Sequence, residues 1–157
     1  MFNGAFTQLL LLALAAILVI AAVIDVRTYT ISNRLNLTVA LLAPLYWASV
    51  ALSPWPDVAA QLAVGATVFA LLAGAFYAGM MGGGDVKLAA ALSLWFSPVS
   101  TIRFLVLMSI AGGVLTLVIL AWHRAHKREG RPEIPYGVAI AFGGLAILTQ
   151  RFLNQFV

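Results

Sequence analysis

Residues Met80 to Leu88 read MMGGGDVKL: three glycines, a carboxylate and an ammonium, set between apolar runs at Val58 to Met80 and at Val86 to Phe96. Reading outward, four more apolar runs appear, approximately Ala5 to Ile24, Leu37 to Leu52, Val99 to Trp122 and Ile134 to Phe156. The breaks between the six runs, DVRTYTISNRLN, SPWPD, GGGD, FSPVS and HRAHKREGRPE, all carry turn-forming residues. A run of about 20 apolar residues suffices to cross a bilayer. The run after GGGD is shorter, about 16 Å of helix at 1.5 Å per residue, and crosses only part of a core roughly 30 Å thick. The expectation is an all-α polytopic membrane protein with about six transmembrane helices, the fourth short, forming a single membrane-embedded domain over residues 1–157.

Composition points the same way. The chain is 63% apolar and 9% charged, whereas a soluble domain devotes roughly a quarter of its residues to charge. It contains no cysteine, which excludes disulfides, thiolate metal ligands and cysteine nucleophiles. The net charge of +4 comes from basic residues at the ends of apolar runs without interleaved aromatics, so it reads as membrane topology and not as a nucleic-acid surface. MFNGAFTQ lacks the basic start of a cleaved signal, and the first run is expected to be retained as a helix.

Short loops rich in lysine and arginine stay in the cytoplasm. Arg27, Arg34, Lys87, Arg124, Lys127, Arg128 and Arg131 fall in the first, third and fifth breaks. Arg103 alone lies near the second or fourth, and Arg151 near the last run's end is a mild exception. This places the N-terminus outside and the odd-numbered loops in the cytosol.

Five acids exist: Asp25, Asp57, Asp85, Glu129 and Glu133. Asp57 lies on the side opposite the basic loops and reads as a turn or cap residue. Asp25 ends the first run and Asp85 opens the fourth, both at the cytoplasmic edge. If those two helices pack together, the carboxylates can hold one water and share one proton, as in aspartic proteases. At about 4 Å and an effective dielectric near 20, two carboxylate charges repel by roughly 4 kcal/mol, which drives such sharing. The plainer alternatives are that Asp85 caps the fourth helix and that Asp25 pairs with Arg27 or Arg34.

Gly82-Gly83-Gly84-Asp85-Val86-Lys87-Leu88 matches the G-x-G-D-x-K-L element of the type IV prepilin peptidases, membrane aspartic proteases, and the chain resembles that family along nearly its whole length. DVRTYTISNRLN is similar to the family's first-aspartate loop, with Asp25, Ile31 and Asn33 in place and Ser32 where proline is usual. Ile134-Pro135-Tyr136-Gly137 resembles the I-P-F-G element that opens the last span. The resemblance implies an Asp25/Asp85 catalytic dyad that activates water without metal or cofactor. It further implies Gly82, Gly83, Gly84 and Lys87 as supporting residues and Ile134 to Gly137 as candidates for positioning substrate. The implied reaction is removal of a prepilin leader at the cytoplasmic face of the bacterial inner membrane, for pilus assembly. Lacking cysteine, the chain is more similar to the short, peptidase-only members of tight-adherence (Flp pilus) systems than to bifunctional members that also methylate. The implied partners are a Flp-type or type IV pilin-like substrate and membrane lipid. Archaeal preflagellin peptidases share the chemistry. A proton-coupled carrier would also pair carboxylates, but near the midplane and between repeated halves.

The glycines are expected to permit positive φ and close approach beside Asp85. Lys87 either acts on Asp85 electrostatically or extends to the interface. His123 and His126 stand at i, i+3 in a basic loop expected to rest on anionic lipid. Gly65, Ala66, Gly74, Gly79, Gly112, Gly113, Gly143 and Gly144 read as close helix contacts. Trp47, Trp55, Trp95 and Trp122 lie near run ends and read as interfacial anchors.

Overall fold

A computed structural model describes residues 4–127, 130 and 132–153. The expectations placed on Arg128, Glu129, Arg131 and the end of the last run at Phe156 lie outside the described residues. The described residues form six α-helices: α1 (Gly4–Thr28), α2 (Asn33–Ser49), α3 (Ala59–Tyr77), α4 (Gly83–Ser93), α5 (Pro98–Ala125) and α6 (Tyr136–Leu153). There is no strand among the described residues. Four helical stretches are long and apolar enough to cross a membrane, namely α1, Pro54–Tyr77 (a short turn of π-helix running into α3), α5 and α6. The fourth helix is short as expected, with 11 residues.

The longer helices bury one face and leave an equally apolar surface for lipid, whereas α4 is enclosed nearly all round, with Lys87 its one exposed residue. In α1 the buried residues Leu11, Leu14, Leu18, Ala21 and Asp25 recur at alternating intervals of three and four, the spacing of a single helix face. Asp25 therefore belongs to the core stripe of α1. The helix continues past the end of its apolar run, through Asp25 to Thr28.

The short α4 stands against α2, α3 and α6, while α6 also packs on α1 and α5. Glycine permits the closest of these approaches. A Cβ at Gly144 would stand 2.9 Å from Leu18 Cδ1 on α1, and one at Gly143 would stand 3.1 Å from the Met108 amide on α5. Two adjacent glycines thus serve two neighbours. Gly65 does the same for α3 against Leu94, at 2.6 Å from its Cδ2.

Two of the four tryptophans are not anchors. Trp95 is fully buried and Trp47 nearly so, and both tie α2 to the α4 end of the bundle. Trp95 Nε1 donates to the Val39 carbonyl at 3.0 Å, and Trp47 Nε1 to the Leu94 carbonyl at 2.7 Å. A buried indole N–H needs such an acceptor, and at Leu94 the end of the short α4 supplies a carbonyl that no later turn claims. Trp55 and Trp122 are exposed, as an interfacial role requires. Asp57 closes its own turn, accepting from the Ser53 amide at 3.1 Å and the Ser53 hydroxyl at 2.9 Å.

Trp95→Phe keeps most of the ring volume but removes the buried indole bond to the Val39 carbonyl. It should destabilise the protein by about 1–3 kcal/mol, whereas Trp55→Phe should leave stability unchanged. Thermal unfolding in detergent micelles measures both.

Candidate functional site

Four segments meet at one end of the bundle: the last turn of α1, the turn at residues 29–32, the first turn of α4 and the first turn of α6. The chain leaves α1 through Tyr29, which adopts a left-handed conformation (φ 51°) uncommon for a non-glycine residue. Ile31 then folds inward and is buried. Ser32 takes φ −70° and ψ 146° as the N-cap of α2, and its hydroxyl accepts from the Leu35 amide at 3.3 Å. That φ is the one a proline ring would impose. Serine here reaches the proline conformation and adds a capping acceptor.

Ile31 is the point on which the three motifs converge. A Cβ at Gly84 would lie 2.6 Å from the Ile31 carbonyl oxygen. One at Gly137 would lie 2.6 Å from Ile31 Cδ1 and 2.7 Å from Asp25 Oδ2. The absence of both Cβ atoms lets α4 and α6 close on the turn after α1, with Asp25 between. Positive φ plays no part in GGG: Gly82 has φ −72° as the N-cap of α4, Gly83 and Gly84 are helical, and the positive-φ glycines described are Gly79 and Gly130. Of the two uses expected of these glycines, close approach is the one realised.

Asp25 is 2% exposed and Asp85 8%. The Gly137 and Val138 amides, at the N-terminus of α6, point to the Asp25 carboxylate, and the Gly82 amide to that of Asp85. Asp85 lies within electrostatic reach of Asp25. Asp25 Oδ2 and Asp85 Oδ1 are nonetheless buried without a hydrogen-bond partner of good geometry. Arg27 and Arg34 are exposed, and neither covers the orphan oxygen of Asp25. Two carboxyl oxygens short of donors, held at one locus, suit an added water or a polar ligand, because leaving such atoms dry is costly.

Lys87 faces away from this pair: its Nζ donates to Asn33 Oδ1 at 2.8 Å, joining the start of α2 to α4. One turn along α2, Asn36 Nδ2 donates to the Gly84 carbonyl at 2.9 Å. Asn36 is a site residue that the sequence reading passed over. All that the sequence shows of it is an amide three residues after Asn33, at the head of an apolar run. Of Ile134 to Gly137, Pro135 and Gly137 are buried at the site. Tyr136 turns to α5, with its hydroxyl 3.4 Å from Thr116 Oγ1.

Other polar groups stand apart. His123 Nε2 meets the Gly130 carbonyl at 3.0 Å, and His126 Nδ1 meets the Trp122 carbonyl at 2.9 Å. No group of three or more metal-ligating side chains occurs among the described residues. A cleft of about 480 Å³ opens beside the site between α3, α5 and α6, from Met80 and Met81 to Tyr136 and Ile140.

A family model described as the type IV leader peptidase family matches residues 12–117, well over half of the chain. The match takes in Asp25, Ile31, Asn36 and Gly82 to Lys87 and stops short of Ile134 to Gly137. No curated protein and no solved structure matches the chain.

Gly84→Ala would drive a methyl group into backbone that cannot step aside, so it should destabilise by about 1–3 kcal/mol through overpacking. Gly83→Ala meets only the Phe76 ring edge, at 3.3 Å, and should be close to neutral. Thermal unfolding of the two single variants in the same detergent separates them.

Proposed function

We propose that this chain, which belongs to the type IV leader peptidase family, is an aspartic endopeptidase whose water-activating pair is Asp25 and Asp85. The observation that carries the reading is the pair itself: two buried carboxyl groups from separate helices, each with an oxygen lacking a partner. One carboxylate takes a proton from water as the oxygen attacks the scissile carbonyl carbon, while the protonated partner donates a hydrogen bond to the carbonyl oxygen. Collapse of the tetrahedral intermediate breaks the C–N bond, and a carboxyl proton passes to the departing amine. The oxygen in the new carboxylate comes from water, and no covalent enzyme intermediate is needed.

Family membership implies a pilin-like substrate in general. The finer reading is a Flp-type or type IV prepilin, cut at the junction between its leader and its apolar helix, for pilus assembly. The end of the bundle bearing the aspartates would face the cytoplasm of a bacterial inner membrane. Arg27, Arg34, Lys87, Arg124 and Lys127 fall in the breaks at that end and support this orientation. The cleft between α3, α5 and α6 suits the substrate's apolar helix, since it begins at residues adjoining Gly82 and Gly137 and its wall includes Gly113, with open space at its Cβ position.

Asp25→Asn and Asp85→Asn should each lower cleavage of a co-expressed prepilin by about 100- to 10,000-fold, with helicity and unfolding temperature retained, while Asp57→Asn should cleave normally. A leader-dependent gel shift reads the result, and full activity in either of the first two variants would refute the dyad. Gly113→Leu should slow cleavage of the full prepilin several-fold and leave a short peptide spanning only the leader junction unaffected; equal effects on both would place the substrate helix elsewhere.

A further inference from the structure

The two arginines that depart from the basic-loop pattern, Arg103 and Arg151, share one pocket. It holds about 380 Å³ at the end of the bundle opposite the aspartates, with Ser97, Ser100 and Gln150 completing its polar lining. Arg103 comes from the second turn of α5 and Arg151 from the last turn of α6. Ser97 caps the N-terminus of α5, so the positive end of that 28-residue helix faces the same space. No described carboxylate lines it.

Arg151 is held in place. Its guanidinium lies over the ring of buried Tyr46, 5.2 Å from the centroid, and its Nη1 is buried with no partner among the described residues. A buried guanidinium donor without an acceptor is costly, and two planar cations with serine hydroxyls present the donor set that phosphate oxygens accept.

The surroundings select between sources of phosphate. A second, almost wholly apolar furrow of about 330 Å³ continues from the pocket along α5 and α6, sharing Arg103, Ile147 and Gln150 with it and lined beyond them by Ile102, Val106 and Leu107. A polar cup that opens into an apolar track within the membrane has the shape of a phospholipid and not of a free ion. We propose that this pocket is a binding site for an anionic glycerophospholipid of the leaflet at that end, its phosphodiester held by Arg103 and Arg151 and an acyl chain lying in the furrow.

The test uses the purified full chain in mixed micelles containing equal dioleoyl phosphatidylglycerol and dioleoyl phosphatidylcholine, with retained lipid counted by native mass spectrometry. The wild type should retain phosphatidylglycerol over phosphatidylcholine by about tenfold. Arg103→Gln/Arg151→Gln should bring that ratio close to one, and Arg27→Gln/Arg34→Gln, at the other end, should leave it unchanged. If the glutamine pair fails to fold, Arg103→Lys/Arg151→Lys keeps both charges and should still lower the ratio, because lysine lacks the planar fork. Equal retention of the two lipids by the wild type, an undiminished ratio in the pocket variants, or an equal loss in the control pair would overturn the site. Displacement of the lipid by inorganic phosphate alone would assign the pocket to a free anion and overturn the lipid reading.

Discussion

Two missing methyl groups govern the functional end of the bundle. Gly84 and Gly137 come from different helices and both press on Ile31, one on its carbonyl oxygen and the other on its side chain. Backbones that close cannot shift cheaply, because packed protein has few alternative arrangements at that spacing. Ile31 is thereby clamped, and the two carboxyl groups follow: Asp85 is set one residue after Gly84, and Asp25 lies against Gly137. Two hydrogen bonds between α2 and α4 then fasten the clamp, from Asn36 to the Gly84 carbonyl and from Lys87 to Asn33. The carboxyl pair is held by steric closeness first and by polar bonds second.

That order suits a membrane site. In hydrocarbon the attraction between helices owes little to hydrophobicity, so close van der Waals contact and a few buried hydrogen bonds have to hold the bundle. The glycine pair in α6 serves α1 and α5 in this way. The indole bonds of Trp47 and Trp95 tie α2 to the end of α4, and the Leu94 carbonyl that Trp47 uses is free because α4 stops there. A longer α4 would spend that carbonyl on its own next turn.

Much of the architecture was legible in the sequence because the breaks are chemically distinct: SPWPD, GGGD and FSPVS concentrate turn-forming residues between runs in which polar side chains are scattered singly. That Asp25 and Asp85 stand near one another was legible from their shared side, together with the GGGDVKL, DVRTYTISN and IPYG elements. What could not be read was the rotation of each helix. Lipid accepts leucine as readily as the core does, so the stripe Leu11, Leu14, Leu18, Ala21 is indistinguishable in composition from Leu9, Leu12, Val19 and Ile20, which are exposed. For the same reason Trp95 passed for an anchor. Its position near a run end fits either role, and only the carbonyl of Val39 across the interface decides between them. Asn36 was obscured differently, since one amide at the head of an apolar run carries no mark of the distant carbonyl it will meet.

The stripe in α1 carries a consequence for which changes the chain can tolerate. Asp25 reaches the site because it continues a spacing begun at Leu11, and the Gly137 and Val138 amides meet it there. Adding or deleting one residue anywhere between them would rotate everything beyond it by about 100° and shift it by about 1.5 Å. The carboxylate would then face lipid, or Leu18 would leave its seat on Gly144. Loops far from Ile31 can lengthen, but α1 is a gauge rod: its residue count from Leu11 to Asp25 sets where the carboxyl group lands.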